Sequence, residues 1–286
     1  MAKIDLAHLL DIDPNELHEY KIHFAKQSGE KRPLDHFIKD GEIAGKGEKS
    51  DWWWWQAWRE DGQKNRWTRK YIVSFIRVYP EGDDVWLFGG IFEVKGIRED
   101  SLYDVHLTDK GKEYIGYLKI EYHSSERLKY LYLERVYPNL KFSEILKARY
   151  SGVTFPGYKN ISLKFADLES IVNTGKEDWR TALSIIKGIY VISDKETGKK
   201  YVGSAYGEGG IWSRWCSYMN SHHGGNKELK ELLEISQKKD YARDNFRFTL
   251  VEWTSDKDTV DKAYVIAREN FWKEALLSRE FGYNAN

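Results

Sequence analysis

The stretch GIYVISDKETGKKYVG, residues 188–203, leaves the chain little freedom. Two β-rich runs flank DKETG, whose Asp and Gly favour a turn, so the runs must pair as a hairpin. Each run joins a tyrosine to a glycine: Gly188-Ile189-Tyr190 on one side, Tyr201-Val202-Gly203 on the other. Side chains alternate along a strand, which puts Ile189 on one face and Tyr190 on the other. Pairing across the turn brings Tyr190 roughly opposite Tyr201 or its neighbour, with both hydroxyls on one surface. The glycines let backbone or ligand approach closely. The hairpin thus reads as a device for presenting two hydroxyls to one ligand.

The hairpin lies in a longer mixed pattern. GIWSRWCSYMN (210–220) places Ile211, Trp215 and Tyr218 on one helical stripe. NKELKELLEISQK predicts a second helix, NFRFTLVEW an alternating strand, and TVDKAYVIARENFWKEALLSRE a long helix stopped by Gly282. At the other end, Asp13 before Pro14 marks a helix start, with Leu17, Tyr20, Ile22 and Phe24 following, and a short helix is expected from Pro33. Residues 40–50 are Gly-rich and predict a loop. From Trp67 to Tyr137, five runs rich in Val, Ile, Tyr, Phe and Leu are broken by turn residues, which predicts a small antiparallel sheet or barrel. FSEILKARY (142–150) is expected to be helical. The polar segment NTGKEDW, 173–179, is the expected boundary, giving domains at 1–175 and 176–286, both α+β and the first β-rich.

Composition narrows the function. The chain has 45 Lys plus Arg against 45 Asp plus Glu, so a generic polyanion binder is disfavoured and phosphate contacts must come from local placement. No apolar run approaches a membrane span and the N-terminus lacks a secretory pattern, so a cytoplasmic protein without membrane partners is expected. The single cysteine, Cys216, excludes an internal disulfide and a cysteine-based zinc cluster. Five of the 12 tryptophans fall between Trp52 and Trp58. Four in succession cannot all face a core on a helix or a strand, so part of the cluster is expected at the surface. Trp54 and Trp55 are then candidates for stacking on a nucleobase, against the alternative of an aromatic core capped by Arg59 and Arg66. Lys64, Arg66, Arg69 and Lys70 form the densest basic stretch of the N-terminal half and are the candidates there for DNA phosphate contacts.

Over residues 187–286 the chain resembles the GIY-YIG nuclease family. The resemblance rests on Gly188-Ile189-Tyr190, on Tyr201-Val202-Gly203, on Arg214 in an Ile-x-x-Arg helix, and on Glu269 in Arg-Glu-x-x-Trp with Asn284 shortly after. It implies a small antiparallel sheet flanked by helices and a metal-dependent endonuclease acting on double-stranded DNA. Glu269 would hold one divalent metal per active site, Mg²⁺ or Mn²⁺, which takes oxygen ligands and retains waters. Arg214 would fork onto phosphate oxygens, Tyr201 would hydrogen-bond the phosphate, and Tyr190 would orient or deprotonate the attacking water. An unperturbed phenol has a pKa near 10, so ionising it at neutral pH costs roughly 4 kcal/mol unless a cation is close.

Two positions depart from many relatives: Ser204 stands where a Lys follows the second motif, and Tyr218 where a His lies four residues past the Arg. Lys200, Tyr218, His222, His223 and Asn284 are auxiliary candidates, with a solvated loop as the plainer reading of the histidines and fastening of the chain end as that of Asn284. Arg214 has a plainer reading too, as a surface partner of Glu208. The 1–175 domain is expected to recognise a specific sequence or a modified base, as in a restriction-type defence enzyme, with a homodimer one route to cutting both strands. The alternatives are a homing, mobile-element or repair endonuclease, or an inactive DNA-binding module that keeps the fold.

Overall fold

The computed structural model describes residues 5–28, 31–59, 65–82, 84–123, 129–236, 240–255 and 262–284. The chain forms two compact units, Met1–Ser151 and Gly152–Asn286, each around its own core. No helix among the described residues is long and apolar enough to cross a membrane.

The first unit opens with helix α1 (Leu6–Leu9) and a 3-10 segment, Pro14–Glu19, whose start is capped by the Asp13 carboxylate. The expected helix does not continue. Tyr20–Ala25 is strand β1, because Tyr20, Ile22 and Phe24 recur at the period of a strand rather than a helix, and all three are fully buried. Helices α2 (Pro33–Asp40) and α3 (Asp51–Ala57) follow. Next come β2 (Tyr71–Arg77), β3 (Val85–Ile97), β4 (Tyr103–Leu107), β5 (Leu118–Glu121) and β6 (Tyr130–Tyr132). Helix α4 (Leu133–Val136) and β7 (Lys141–Ile145) complete the unit.

One sheet joins all seven strands in the order β6-β1-β2-β3-β5-β7, with β4 also on β3. It is not wholly antiparallel as expected: β1 and β2 run parallel, from Tyr20 opposite Tyr71 to Ala25 opposite Ile76. The chain between them holds α2 and α3, long enough for the crossover a parallel pair requires. β7 replaces the helix expected at 142–150 because β5 offers it an open edge, with Leu118 opposite Ile145 and Glu121 opposite Lys141. A mostly exposed edge strand carries little apolar alternation, which hides it from a sequence reading.

The start of α3 is fixed by two side chains. Ser50 accepts from the Trp53 amide at 3.0 Å, while Asp40 accepts from the amides of Asp51 at 3.0 Å and Trp52 at 2.7 Å, which satisfies donors a helix start leaves open. The helix then divides the tryptophans: Trp52 and Trp53 enter the core and donate to Gly89 and Val105 carbonyls, while Trp54 and Trp55 are half-buried. Beneath it, buried His23 of β1 lies 2.8 Å from the Gln56 Oε1, which also accepts from Ser74 Oγ at 2.7 Å. Burial pushes the His23 pKa down to about 4, with the Gln56 hydrogen bond a smaller opposing effect.

The second unit contains β8 (Ser162–Lys164), α5 (Phe165–Asn173), α6 (Glu177–Ser184), β9 (Lys187–Asp194), β10 (Lys200–Ala205) and α7 (Gly210–Ser221). Then follow α8 (Lys227–Ser236), α9 (Tyr241–Asn245), β11 (Phe246–Thr254) and α10 (Lys262–Ala275). Its sheet runs β10-β9-β11-β8, antiparallel throughout. The expected boundary at 173–179 falls inside this unit. β8 pairs with β11, and Phe165, Leu168 and Ile171 of α5 belong to its core, so the polar segment joins two helices rather than two domains. Helix α10 ends at Ala275, short of the expected stop, and Leu277 takes a left-handed backbone.

Helices cover both faces of this sheet. Tyr190, Ile192, Tyr201 and Ala205 pack in the larger core with Trp215 and Tyr218 of α7; Ile189, Val191 and Val202 pack with Val265 and Trp272 of α10. The hairpin register sets Tyr190 opposite Gly203 and Tyr201 opposite Ile192, two residues offset from direct opposition. The first glycine of the pair, Gly188, lies where a Cβ would stand 2.2 Å from the Glu252 carbonyl oxygen of β11, beside a bulge. The second, Gly203, lies under the Tyr190 ring, whose Cζ and hydroxyl would each stand 2.5 Å from a Cβ.

Two outcomes follow from these cores. Gly203→Ala, which meets the fully buried Tyr190, should cost about 1–3 kcal/mol and lower the unfolding temperature of the second unit in calorimetry. For His23, the unfolded chain takes up a proton near 6.5 and the folded chain only near 4, so stability is full above the unfolded value and falls as pH drops between the two. The first unit should lose on the order of 3 kcal/mol from this group across that window, and His23→Gln should flatten that part of the denaturation profile.

Candidate active site

Strand β10 is an edge of its sheet, and the chain end closes part of that edge. The Tyr283 amide donates to the Lys200 carbonyl at 2.9 Å, and the Asn284 side chain both accepts from Val202 N and donates to Val202 O at 2.8 Å. Asn284 therefore acts on the strand as a short pairing partner would, and its place is structural. Beyond it, around Ser204, opens a cleft of about 510 Å³ that wraps the strand end, lined by Tyr201, Ser204, Glu208, Arg214 and Glu269 among others.

Arg214 enters the cleft from α7. Its Nε donates to the Tyr190 hydroxyl at 2.9 Å, its Nη1 to the Gly224 carbonyl at 2.8 Å and its Nη2 to the Tyr218 hydroxyl at 3.3 Å. A guanidinium has five N–H groups, so two remain for a ligand, one on each terminal nitrogen. Tyr190 and Tyr218 join hydroxyls at 3.0 Å, and both are fully buried. Burial, aided by neighbouring phenols, pushes both pKa values up, against a smaller opposing pull from Arg214. Both phenols therefore stay protonated, and Tyr190 faces Arg214 rather than the cleft. Glu208 makes no ion pair with Arg214.

Glu269 arrives from the other face. On α10, Arg268 clasps the Glu252 carboxylate of β11 through Nε at 2.7 Å and Nη2 at 2.8 Å, and Trp272 donates to it at 2.9 Å. The Arg268 hydrogen bond holds the Glu252 carboxyl below the usual carboxylate range. This clamp turns the residue between them, Glu269, toward β10. There its Oε2 accepts from the Ser204 hydroxyl, and Oε1 pairs with Lys273 Nζ at 2.7 Å.

Among the described residues no group of three or more His, Cys, Asp or Glu could hold a metal ion. A cation at Glu269 would rest on one carboxylate and water, a donor set that suits Mg²⁺. A carboxylate offers about four lone-pair sites, so the Ser204 and Lys273 contacts leave room for it.

The remaining candidates lie elsewhere. Lys200 directs Nζ to Gly198 O at 3.3 Å. His222 ends α7 in a left-handed backbone with its ring edge-on to Phe165, and His223 accepts from the Gly225 amide. In the first unit, Trp54, Trp55 and Arg66 line one cavity. Arg69 instead pairs with Glu134 at 3.3 Å, and Lys70 stands over the Tyr71 ring; Lys64 lies outside the described residues. Sequence reasoning missed Lys273, although its place four residues after Glu269 on one helix face signals such a pair. It also missed the bond from Ser204, which no local pattern announces.

Residues 186–284 match the GIY-YIG catalytic domain. Among solved structures, an alanine mutant of the catalytic domain of intron endonuclease I-TevI is 25% identical, covering 35% of this chain and 94% of that one, with a TM-score of 0.27. The catalytic domain of homing endonuclease I-TevI is 27% identical, with 35% and 98% covered and the same TM-score of 0.27. Residues 186–284 are thus a GIY-YIG domain, and the chain carries an endonuclease that hydrolyses DNA.

Proposed function

We propose that the protein is a metal-dependent restriction-type endonuclease, in which the second unit cuts and the N-terminal unit selects the target, a short sequence or a modified base. The observation that carries the cutting role is the convergence of Tyr201, Arg214 and Glu269 on one cleft. Selection by the first unit is supported by its cavity, where Trp54, Trp55 and Arg66 meet.

Glu269 would hold the metal, with Ser204 and Lys273 fixing the carboxylate. When bound, Mg²⁺ supplies charge neutralisation at the phosphate. Arg214 directs its two remaining N–H groups at non-bridging oxygens, a fork that Lys cannot form. Tyr201 donates from the cleft wall. Water attacks phosphorus as the P–O3′ bond breaks, and the departing oxygen takes a proton from solvent. Of the cleft carboxylates, Glu208 makes no hydrogen bond or ion pair among the described residues, which leaves it to take the water's proton. Tyr190 stays a neutral phenol and positions Arg214. Each site cuts one strand, so a double-strand break requires a dimer or two sequential events.

With Mg²⁺, the purified protein should nick or linearise DNA, and Glu269→Ala should abolish cleavage while leaving gel-shift affinity largely intact; full activity in that variant would refute the metal role. Arg214→Lys should lower kcat by roughly 10²–10³-fold, the scale of losing one aimed donor at the reacting group. Plasmid, methylated genomic and hydroxymethylated phage DNA compared as substrates separate the two kinds of selection: cutting confined to modified DNA means base-modification reading, and discrete bands from all three mean sequence reading.

A further inference from the structure

The first unit contains a cavity of about 780 Å³ between α3, β1 and β6, in the size range of small-molecule sites. Its wall is aromatic: Trp54, Trp55 and Trp58 all face it, with Tyr130 beside them. Trp54 spends its indole N–H on the Glu48 carbonyl at 3.0 Å. Trp55 and Trp58 make no such bond among the described residues, and Trp58 is 55% exposed. That much apolar area, held open at a cavity mouth, marks a binding surface.

The charge there is uneven. Among the described residues, Lys26, Lys31, Arg66 and Lys129 line the cavity against one carboxylate, Asp51. That carboxylate is already engaged by His36 at 3.1 Å and Lys39 at 3.8 Å. In a chain whose charges cancel, this is a local positive field suited to phosphate.

The cavity also has a specific polar group. His23 is 2% exposed and lines it. Gln56 Oε1 can only accept, so Nδ1 is the protonated ring nitrogen. The imidazole is neutral, which leaves Nε2 a bare acceptor with no partner among the described residues. As a cavity-lining acceptor without a protein partner, it is open to a donor on a ligand.

We propose that this cavity binds a single nucleobase extruded from DNA, stacked on Trp55 and Trp58, donating a hydrogen bond to His23 Nε2, with its flanking phosphates on Lys31, Lys129 and Arg66. Stacking, a polar contact deep in the pocket and a cationic rim are what an extruded nucleotide requires. The inference rests on the reading of the first unit as the target selector and names the group it selects.

The test titrates the full-length protein with 5′-dCMP, 5′-dAMP and 5′-dTMP at up to millimolar concentration by NMR, with 2-deoxyribose 5-phosphate as the ligand that has the phosphate but no base. Saturable binding of at least one nucleotide is expected, roughly 10-fold or more tighter than the base-less sugar phosphate, and weakened roughly 10-fold or more by Trp55→Ala or Trp58→Ala. Unchanged unfolding temperatures show that both variants fold. Equal binding of the sugar phosphate, indifference to both substitutions, or no nucleotide binding overturns the proposal. If no nucleotide binds while the protein still cuts selected DNA, the pocket is refuted and the selector reading stands; if nucleotides bind while no target discrimination exists in cleavage, the selector reading fails instead.

Discussion

The cleft depends on one buried phenol. The Tyr190 ring lies across Gly203, meets Trp215 edge-on at 6.1 Å, and its hydroxyl engages Arg214 and Tyr218. Arg214, Trp215 and Tyr218 fall on one side of α7, so the first motif tyrosine, the second motif glycine and the helix are fixed as one unit. Hydrogen bonds are stronger in so dry a place, and an unmade one is costlier. The guanidinium is thereby held before any ligand arrives, and such preorganisation is what electrostatic catalysis draws on.

Glu269 reaches the same cleft by a different route. Its helix packs on the opposite face through Val265, Trp272 and Leu276, and the Glu252 clamp sets its rotation. The sequence Arg-Glu-x-x-Trp is therefore two anchoring residues around one that enters the cleft: Arg268 and Trp272 share a carboxylate on β11 while Glu269 looks toward β10. The edge of β10 is where the two faces meet. A cleft placed mid-sheet could draw from one face only.

The catalytic half was the more legible because its signals are local. A turn, a period of two and a helical stripe define β9, β10 and α7, and the resemblance supplied the distant Glu269. Register was less legible: the turn alone left Tyr190 opposite Tyr201 or its neighbour, and the offset was settled by the need to lay a ring over Gly203. In the first unit, β1 hid behind the Asp13-Pro14 helix start, since a cap announces a beginning and not a length. β7 hid because an exposed edge strand has no apolar alternation to read. The tryptophan run was legible as geometry, in that not all four could be buried, yet which two entered the core depended on Gly89 and Val105, far away in sequence.

The balance of charges bears on how such a chain finds DNA. Affinity from counterion release grows with the number of phosphates neutralised, and here many cations are spent internally: Arg69 on Glu134, Arg243 on Glu169, Arg268 on Glu252. In the first unit Lys31, Arg66 and Lys129 line the aromatic cavity, and in the second Arg214 stands in the cleft. Under the proposed selector role, discrimination between targets comes from contacts with the base rather than with phosphates, which every sequence shares. An exposed indole, Trp58, and a neutral imidazole, His23, are the uncharged groups this cavity offers for such a contact.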